Sequence, residues 1–237
     1  MNILAIDTSG PSLGTAILKD GVLVYEATAQ NRLTHSVNLM PMVEEALTRA
    51  DMDISAIDLF AAVKGPGSFT GVRIGISTIK GMAHGAGKLC IGIDALEAFA
   101  AGVGEMNALI CPVQDARAGQ VYGAAFEGGP VPRRVLPDQA QPLEDFVAAA
   151  EKAADGGQLF FLGDGVKPNR ERIAALLGEK ALFAPPQQNF LRPGVVAYLA
   201  SLTAGEAVDA LSLKPLYLRA PQAERERARR LEQKHEC

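Results

Sequence analysis

Gly65-Pro66-Gly67-Ser68-Phe69-Thr70-Gly71-Val72-Arg73-Ile74-Gly75 is the stretch around which the rest of the chain is organised. It follows Leu59-Phe60-Ala61-Ala62-Val63, an apolar run whose length and flanks suit a buried strand, and it opens a long helical pattern. The combination predicts a glycine-rich turn from strand to helix. Such turns cradle phosphate when the first helical amides stay unpaired and the helix dipole draws an anion. The spacing here departs from the phosphate-binding signatures. Val72-Arg73 follows Gly71 in place of Lys-Ser or Lys-Thr, and Thr70 stands where a dinucleotide fingerprint has its third glycine. A P-loop is not expected.

At about 100° per residue, the helix beyond the turn places Val72, Ile76, Ile79 and Ala83 on one bulky face. Gly71, Ile74, Thr78, Gly81 and Gly85 fall on a second face of mostly small side chains. Glycine inside a helix costs roughly 0.5–1 kcal/mol relative to alanine, so a line of glycines predicts the close approach of another backbone. That backbone can belong to the same domain or to a partner chain, and the pattern leaves both open. A second helix is predicted over residues 36–50, with Thr34 or Ser36 as its cap and Pro41 inside it. Leu39, Val43, Ala46, Leu47 and Ala50 form its core stripe. Val37, Met40 and Met42 widen the apolar surface beyond what one neighbour requires, which predicts contact with a partner. His35 stands alone with Leu39 four residues on, so it reads as a polar surface or interface residue and not as half of a metal pair.

With 237 residues, 48% of them hydrophobic, the chain can bury one large or two small cores. No apolar run approaches the roughly 20 residues of a membrane helix, and Asp7 interrupts the N-terminal apolar residues too early for a secretory signal. A cytoplasmic location is expected. Cys90, Cys111 and Cys237 lack zinc spacing, and the first two read as buried thiols. The net charge of −4 argues against autonomous, non-specific nucleic-acid binding, which relies on a basic patch.

Toward the N-terminus, residues 2–7, 13–18 and 22–28 are strand candidates, with Asp20-Gly21 as a hairpin signal between the last two. Residues 88–93 read as a further strand and 94–102 as a helix capped by Asp94, with Glu97 at the capping-box position. The plan then restarts. Residues 108–113 and 120–126 read as paired strands around Asp115-Ala116-Arg117-Ala118-Gly119, 142–154 as a helix, and 159–162 as a strand before Gly163-Asp164-Gly165. Helices are predicted over 168–177 and 193–204, and an extended segment over 213–219. Alternating strands and helices after a meander predict an α/β fold with a mixed sheet in each of two halves.

These residues resemble the TsaB (YeaZ) family. The resemblance rests on Ala5-Ile6-Asp7-Thr8-Ser9, His35-Ser36, the Gly65–Gly75 motif, Asp115-Ala116-Arg117 with Gln120-Val121-Tyr122, and Pro215-Leu216-Tyr217-Leu218-Arg219, and it spans nearly the whole chain. It implies two actin-like lobes, as in sugar kinases, Hsp70 and actin: an N-terminal lobe over 1–103 carrying the partner-binding helices, and a smaller lobe over 104–219. Residues 220–237, rich in both Arg and Glu, are expected to form a charged tail. Asp7-Thr8-Ser9 sits where that fold has its first phosphate loop; turn-building is the alternative role. The family is similar to TsaD, in which an Asn-His-Leu-Glu-x-His segment supplies two metal-binding histidines. Ala95 and Phe99 occupy those positions here, and neither offers a lone pair to a metal.

The resemblance therefore implies a non-catalytic subunit, needing neither ATP nor metal of its own. It implies binding to TsaD and TsaE in the machinery that places a threonylcarbamoyl group on the adenosine next to the anticodon of tRNAs reading codons that start with A. The partner-binding residues expected are His35, Val37, Met40, Gly71, Ile74, Thr78, Gly81 and Gly85, with the same patch pairing as a homodimer in isolation and tRNA reached only through the complex. The alternatives are an actin-like ATPase or sugar kinase, which Asp7-Thr8-Ser9 would suit, and a glycoprotease-type metallopeptidase, for which His35, His84 and His235 offer no HxxxH.

Overall fold

The computed structural model describes residues 1–30 and 34–219; the expected tail over 220–237 lies outside the described residues. The first half runs β1 (Asn2–Asp7), β2 (Leu13–Lys19), β3 (Val22–Ala29), α1 (His35–Arg49), β4 (Leu59–Gly65), α2 (Phe69–Ala86), β5 (Leu89–Asp94) and α3 (Ala95–Ala101). The second half repeats the order: β6 (Leu109–Asp115), β7 (Gln120–Glu127), β8 (Arg133–Pro142), α4 (Leu143–Ala153), β9 (Leu159–Leu162), α5 (Val166–Leu177), β10 (Ala181–Phe183) and α6 (Pro193–Leu202). The sheets are ordered β3-β2-β1-β4-β5 and β8-β7-β6-β9-β10. In each, the first three strands form an antiparallel meander and the last two join in parallel through helical crossovers. The two sheets are thus copies of one plan, the duplicated lobes expected of the actin-like fold.

Three apolar clusters hold the layers together. Alternate residues of β1 face opposite ways: Leu4 and Ile6 join the outer core beneath α1 and α2, while Ile3 and Ala5 join the core between the lobes. That middle core also contains Ala95, Leu96 and Phe99 of α3, Val196, Ala197 and Leu199 of α6, and Ile110, Phe126 and Phe160 of the second sheet. The third cluster packs Phe146, Val147 and Ile173 of α4 and α5 against the outer face of the second sheet. The central strands are buried on both faces, as strands covered by helices on one side and a second layer on the other must be.

Residues 193–219, expected in the C-terminal lobe, pack on the first. Helix α6 lies on β1 and β2, and α3 in turn touches β6 and β7. A helix as apolar as α6 needs cover on more than one side, and only the space between the sheets provides it. The chain then runs along the first lobe: Cys90 and Val208 exchange backbone hydrogen bonds at 2.9 Å, and Leu216 N donates to Lys64 O at 2.7 Å. The predicted extended segment over 213–219 is this strap.

Two strands escaped the sequence pattern, β8 and β10. Both are sheet edges; β8 carries two prolines and has no fully buried residue, and β10 is three half-buried residues, so neither shows an apolar rhythm. The Asp20-Gly21 hairpin is as read, with both residues at positive φ (50° and 82°), as a two-residue turn of this kind requires.

Candidate partner face and interlobe cleft

Helices α1 and α2 lie side by side on the outer face of the first sheet. In α1, Leu39, Val43 and Ala46 point into the core, leaving Val37 66% and Met40 42% exposed. Pro41 removes the amide that would bond the Val37 carbonyl. In α2, Val72, Ile76, Ile79 and Ala83 are buried as the periodicity predicts. Ile74 and Thr78 are half-buried, and Gly81 and Gly85 are exposed, with no atom within 4 Å of where a Cβ would stand. These four residues form the outward ridge of α2.

Gly71 does not belong to that ridge. A Cβ on it would stand 2.0 Å from the Thr8 carbonyl oxygen, and one on Gly75 would stand 2.5 Å from Thr8 Oγ1. Thr8 Oγ1 donates to Gly71 O at 2.7 Å, and Ser68 N to Ser9 O at 2.7 Å. The small residues at the start of α2 therefore serve the approach of the β1–β2 turn, while those at its end face outward; a 100° wheel cannot separate the two because both lie away from the sheet. His35 also turns inward. Its Nε2 lies 2.9 Å from Gly10 O, so that nitrogen donates and the ring fastens α1 to the same turn. The turn thus receives α1 through His35 and α2 through its glycines.

Asp7-Thr8-Ser9 lies at the cleft between the lobes, fully buried. Asp7 Oδ1 accepts from Ser9 N at 2.8 Å and Ser9 Oγ at 2.7 Å, the turn-building role of a short acidic side chain. Burial pushes the Asp7 carboxyl up to about 6, against these bonds and the pull of His35. Across the cleft, Gly163-Asp164-Gly165 repeats the part played by Gly65-Pro66-Gly67. A Cβ on Gly163 would stand 2.4 Å from Val113 O, as one on Gly67 would stand 2.4 Å from Ser9 O. Burial, with Asp115 and Asp7 nearby, raises Asp164 to about 7. Asp164 Oδ1 and Gln114 Oε1 have no partner.

Asp7, Ser9, Ser12, Gln114, Asp164 and Asn189 line a cavity of about 10 Å³ together with Phe99 and Phe190. That is room for about one water, whereas ligand pockets run to about 300–1,000 Å³. A phosphate there would meet two carboxylates and, among the described residues lining the cavity, no Lys or Arg. Sequence reading marked Asp7 but not Asp164 or Gln114 as cleft residues; the signal available was the Gly-Asp-Gly after a strand. Ala95 and Phe99 are 0% and 5% exposed in the core between the lobes. Both cysteines among the described residues are buried, as expected. Among those residues no helix is long and apolar enough to cross a membrane.

The duplicated two-lobed fold is matched by comparison with known proteins at the level of a broad class first. Residues 27–225 match the family model described as TsaD, tRNA N6-adenosine threonylcarbamoyltransferase. Curated relatives are more specific. The tRNA threonylcarbamoyladenosine biosynthesis protein TsaB of Bacillus subtilis is 34% identical over 225 residues, covering 94% of this chain and 96% of the relative. That of Haemophilus influenzae is 29% identical over 92% of this chain and 94% of the relative. The solved structure of YeaZ from Pseudomonas aeruginosa superposes with a TM-score of 0.76 at 26% identity, over 92% of this chain and 99% of that one. The chain belongs to the TsaB (YeaZ) family of tRNA threonylcarbamoyladenosine biosynthesis proteins.

Proposed function

We propose that this chain is a non-catalytic scaffold that binds TsaD through the outward face of α1 and α2. In this reading TsaD supplies the site that transfers the threonylcarbamoyl group to the adenosine next to the anticodon, and TsaE docks where the two meet. ATP and metal belong to those partners, and tRNA is reached through the complex. The observation that carries the reading is the face itself. Val37 and Met40 stand exposed beside a ridge of Ile74, Thr78, Gly81 and Gly85, while both helices already bury separate stripes in the core. Ala95 and Phe99 at the metal-ligand positions, and a cleft cavity of about 10 Å³, support the absence of transfer chemistry in this chain. A partner shifts TsaD toward one conformation only by the difference in its affinity for the two.

The same face can pair with a second copy when TsaD is absent, so homodimer and heterodimer would exclude each other. The test is Val37→Arg. A charge left buried and unpaired in a complex costs several kcal/mol, so the variant should remain a folded monomer that binds TsaD at least about 100-fold more weakly and fails to support modification in the reconstituted system. Wild-type binding by a well-folded Val37→Arg protein would move the partner surface elsewhere.

A further inference from the structure

The most exposed large apolar side chain among the described residues is Leu211, at 81%. It sits on the strap, between Ala210 and Leu213, which are both 6% exposed and packed in the outer core of the first lobe. The turn that displays it is tied down from several directions. Asp209 Oδ1 accepts from Leu211 N at 2.8 Å and Ser212 N at 3.0 Å, and Asp209 Oδ2 accepts from Ser212 Oγ at 2.7 Å. Lys80 of α2 donates to Leu211 O at 3.3 Å and to Leu213 O at 3.2 Å. A leucine held out to water on so constrained a turn has already lost the freedom that binding would otherwise remove.

Its position relative to the helices follows from the sheet. Helix α1 covers β2 and β3, and α2 covers β4 and β5. The strap bridges β5 at the far edge through Cys90 and Val208. Strap and α1 therefore flank α2 on opposite sides, and Lys80 points to the strap side while Gly81 and Gly85 form the low outward ridge between. Val37 and Met40 stand on one bank of this shallow valley and Leu211 on the other.

We propose that Leu211 is the second wall of the TsaD-binding face, so that a helix of TsaD lies along the Gly81–Gly85 ridge between α1 and the strap. This rests on the reading of α1 and α2 as the TsaD face and extends that face onto a segment in which sequence periodicity shows nothing. Helices dock in grooves through apolar anchors on both sides. The occupant is TsaD because the wall is continuous with the ridge proposed to bind it; a second copy of this chain is the competing occupant that the experiment separates.

The experiment measures the affinity of purified TsaD for full-length wild-type, Leu211→Ala, Leu211→Asp and Val37→Arg proteins, with melting temperature as the folding control. At 81% exposure Leu211 holds nothing together in the free protein, so both Leu211 variants should melt as wild type does. Leu211→Ala should bind TsaD about tenfold more weakly, in line with the burial of a leucine side chain, and Leu211→Asp more weakly still. If both Leu211 variants bind as wild type while Val37→Arg does not, the strap lies outside the contact and this inference fails alone. If Val37→Arg also binds as wild type, the underlying reading fails. If the Leu211 variants lose only self-association, the wall serves a second copy and the assignment to TsaD is overturned.

Discussion

The two lobes share one topology and differ in what their outer helices show to water. In the second lobe, α4 and α5 pair their charges: Arg172 bonds Glu144, and Lys180, just past α5, bonds Glu151 at 2.7 Å. In the first lobe the helices are longer, 15 and 18 residues against 11 and 12. Between them they expose Val37, Met40, Gly81 and Gly85. Duplication supplied two equivalent outer faces, and only one has kept a surface that water solvates poorly. A lone Leu176, 49% exposed on α5, does not make a second such face, since scattered apolar residues are ordinary on protein surfaces.

The sharpest way to break that comparison is to put the same charge on both faces. Val37→Arg should lower TsaD affinity at least about 100-fold, whereas Leu176→Arg should leave it unchanged; equal effects measured by titration calorimetry would erase the distinction between lobes. The next contrast lies within α2. Gly71→Ala forces a methyl against the Thr8 carbonyl and should cost about 2–3 kcal/mol in denaturant unfolding. Gly81→Ala meets open space and should stabilise the free protein by about 0.5–1 kcal/mol while weakening TsaD binding.

The cleft offers a pH test. Asp7 and Asp164 titrate at about 6 and about 7 in the folded protein and near 3.8 when unfolded. Between pH 4 and 7 the folded state therefore holds more protons than the unfolded one, and their contribution to stability falls as pH rises, levelling off above about 7. Asp164→Asn should flatten this part of the curve and be more stable than wild type at pH 8, by about 1–3 kcal/mol. An unchanged difference between the two proteins from pH 4 to 8 would show that Asp164 is ionised throughout. The smallest effect expected is that of Asp7→Asn, which keeps the acceptor for Ser9 and should change stability by no more than about 1 kcal/mol. It should leave modification by the reconstituted complex intact; loss of activity at constant melting temperature would give the first loop a part in the chemistry.

Sequence alone fixed the elements whose burial is one-sided or complete. The apolar run before Gly65, the stripes of α1 and α2, the Asp20-Gly21 hairpin and the restart of the plan after residue 104 were legible because periodicity reports which side of an element meets the core. The family was legible for the same reason as the central turn: glycines at Gly67, Gly71 and Gly75 are demanded by the backbone of Thr8 and Ser9, so the motif cannot drift. Only the tertiary structure decided which small residues of α2 face inward, where α6 and the strap belong, and that His35 holds the β1–β2 turn. It alone brought Asp7, Gln114 and Asp164, more than 100 residues apart at the ends, to one cavity. Periodicity records that a residue is hidden or exposed along its own element; which distant backbone hides it is set by how the lobes close on one another, and no local pattern carries that information.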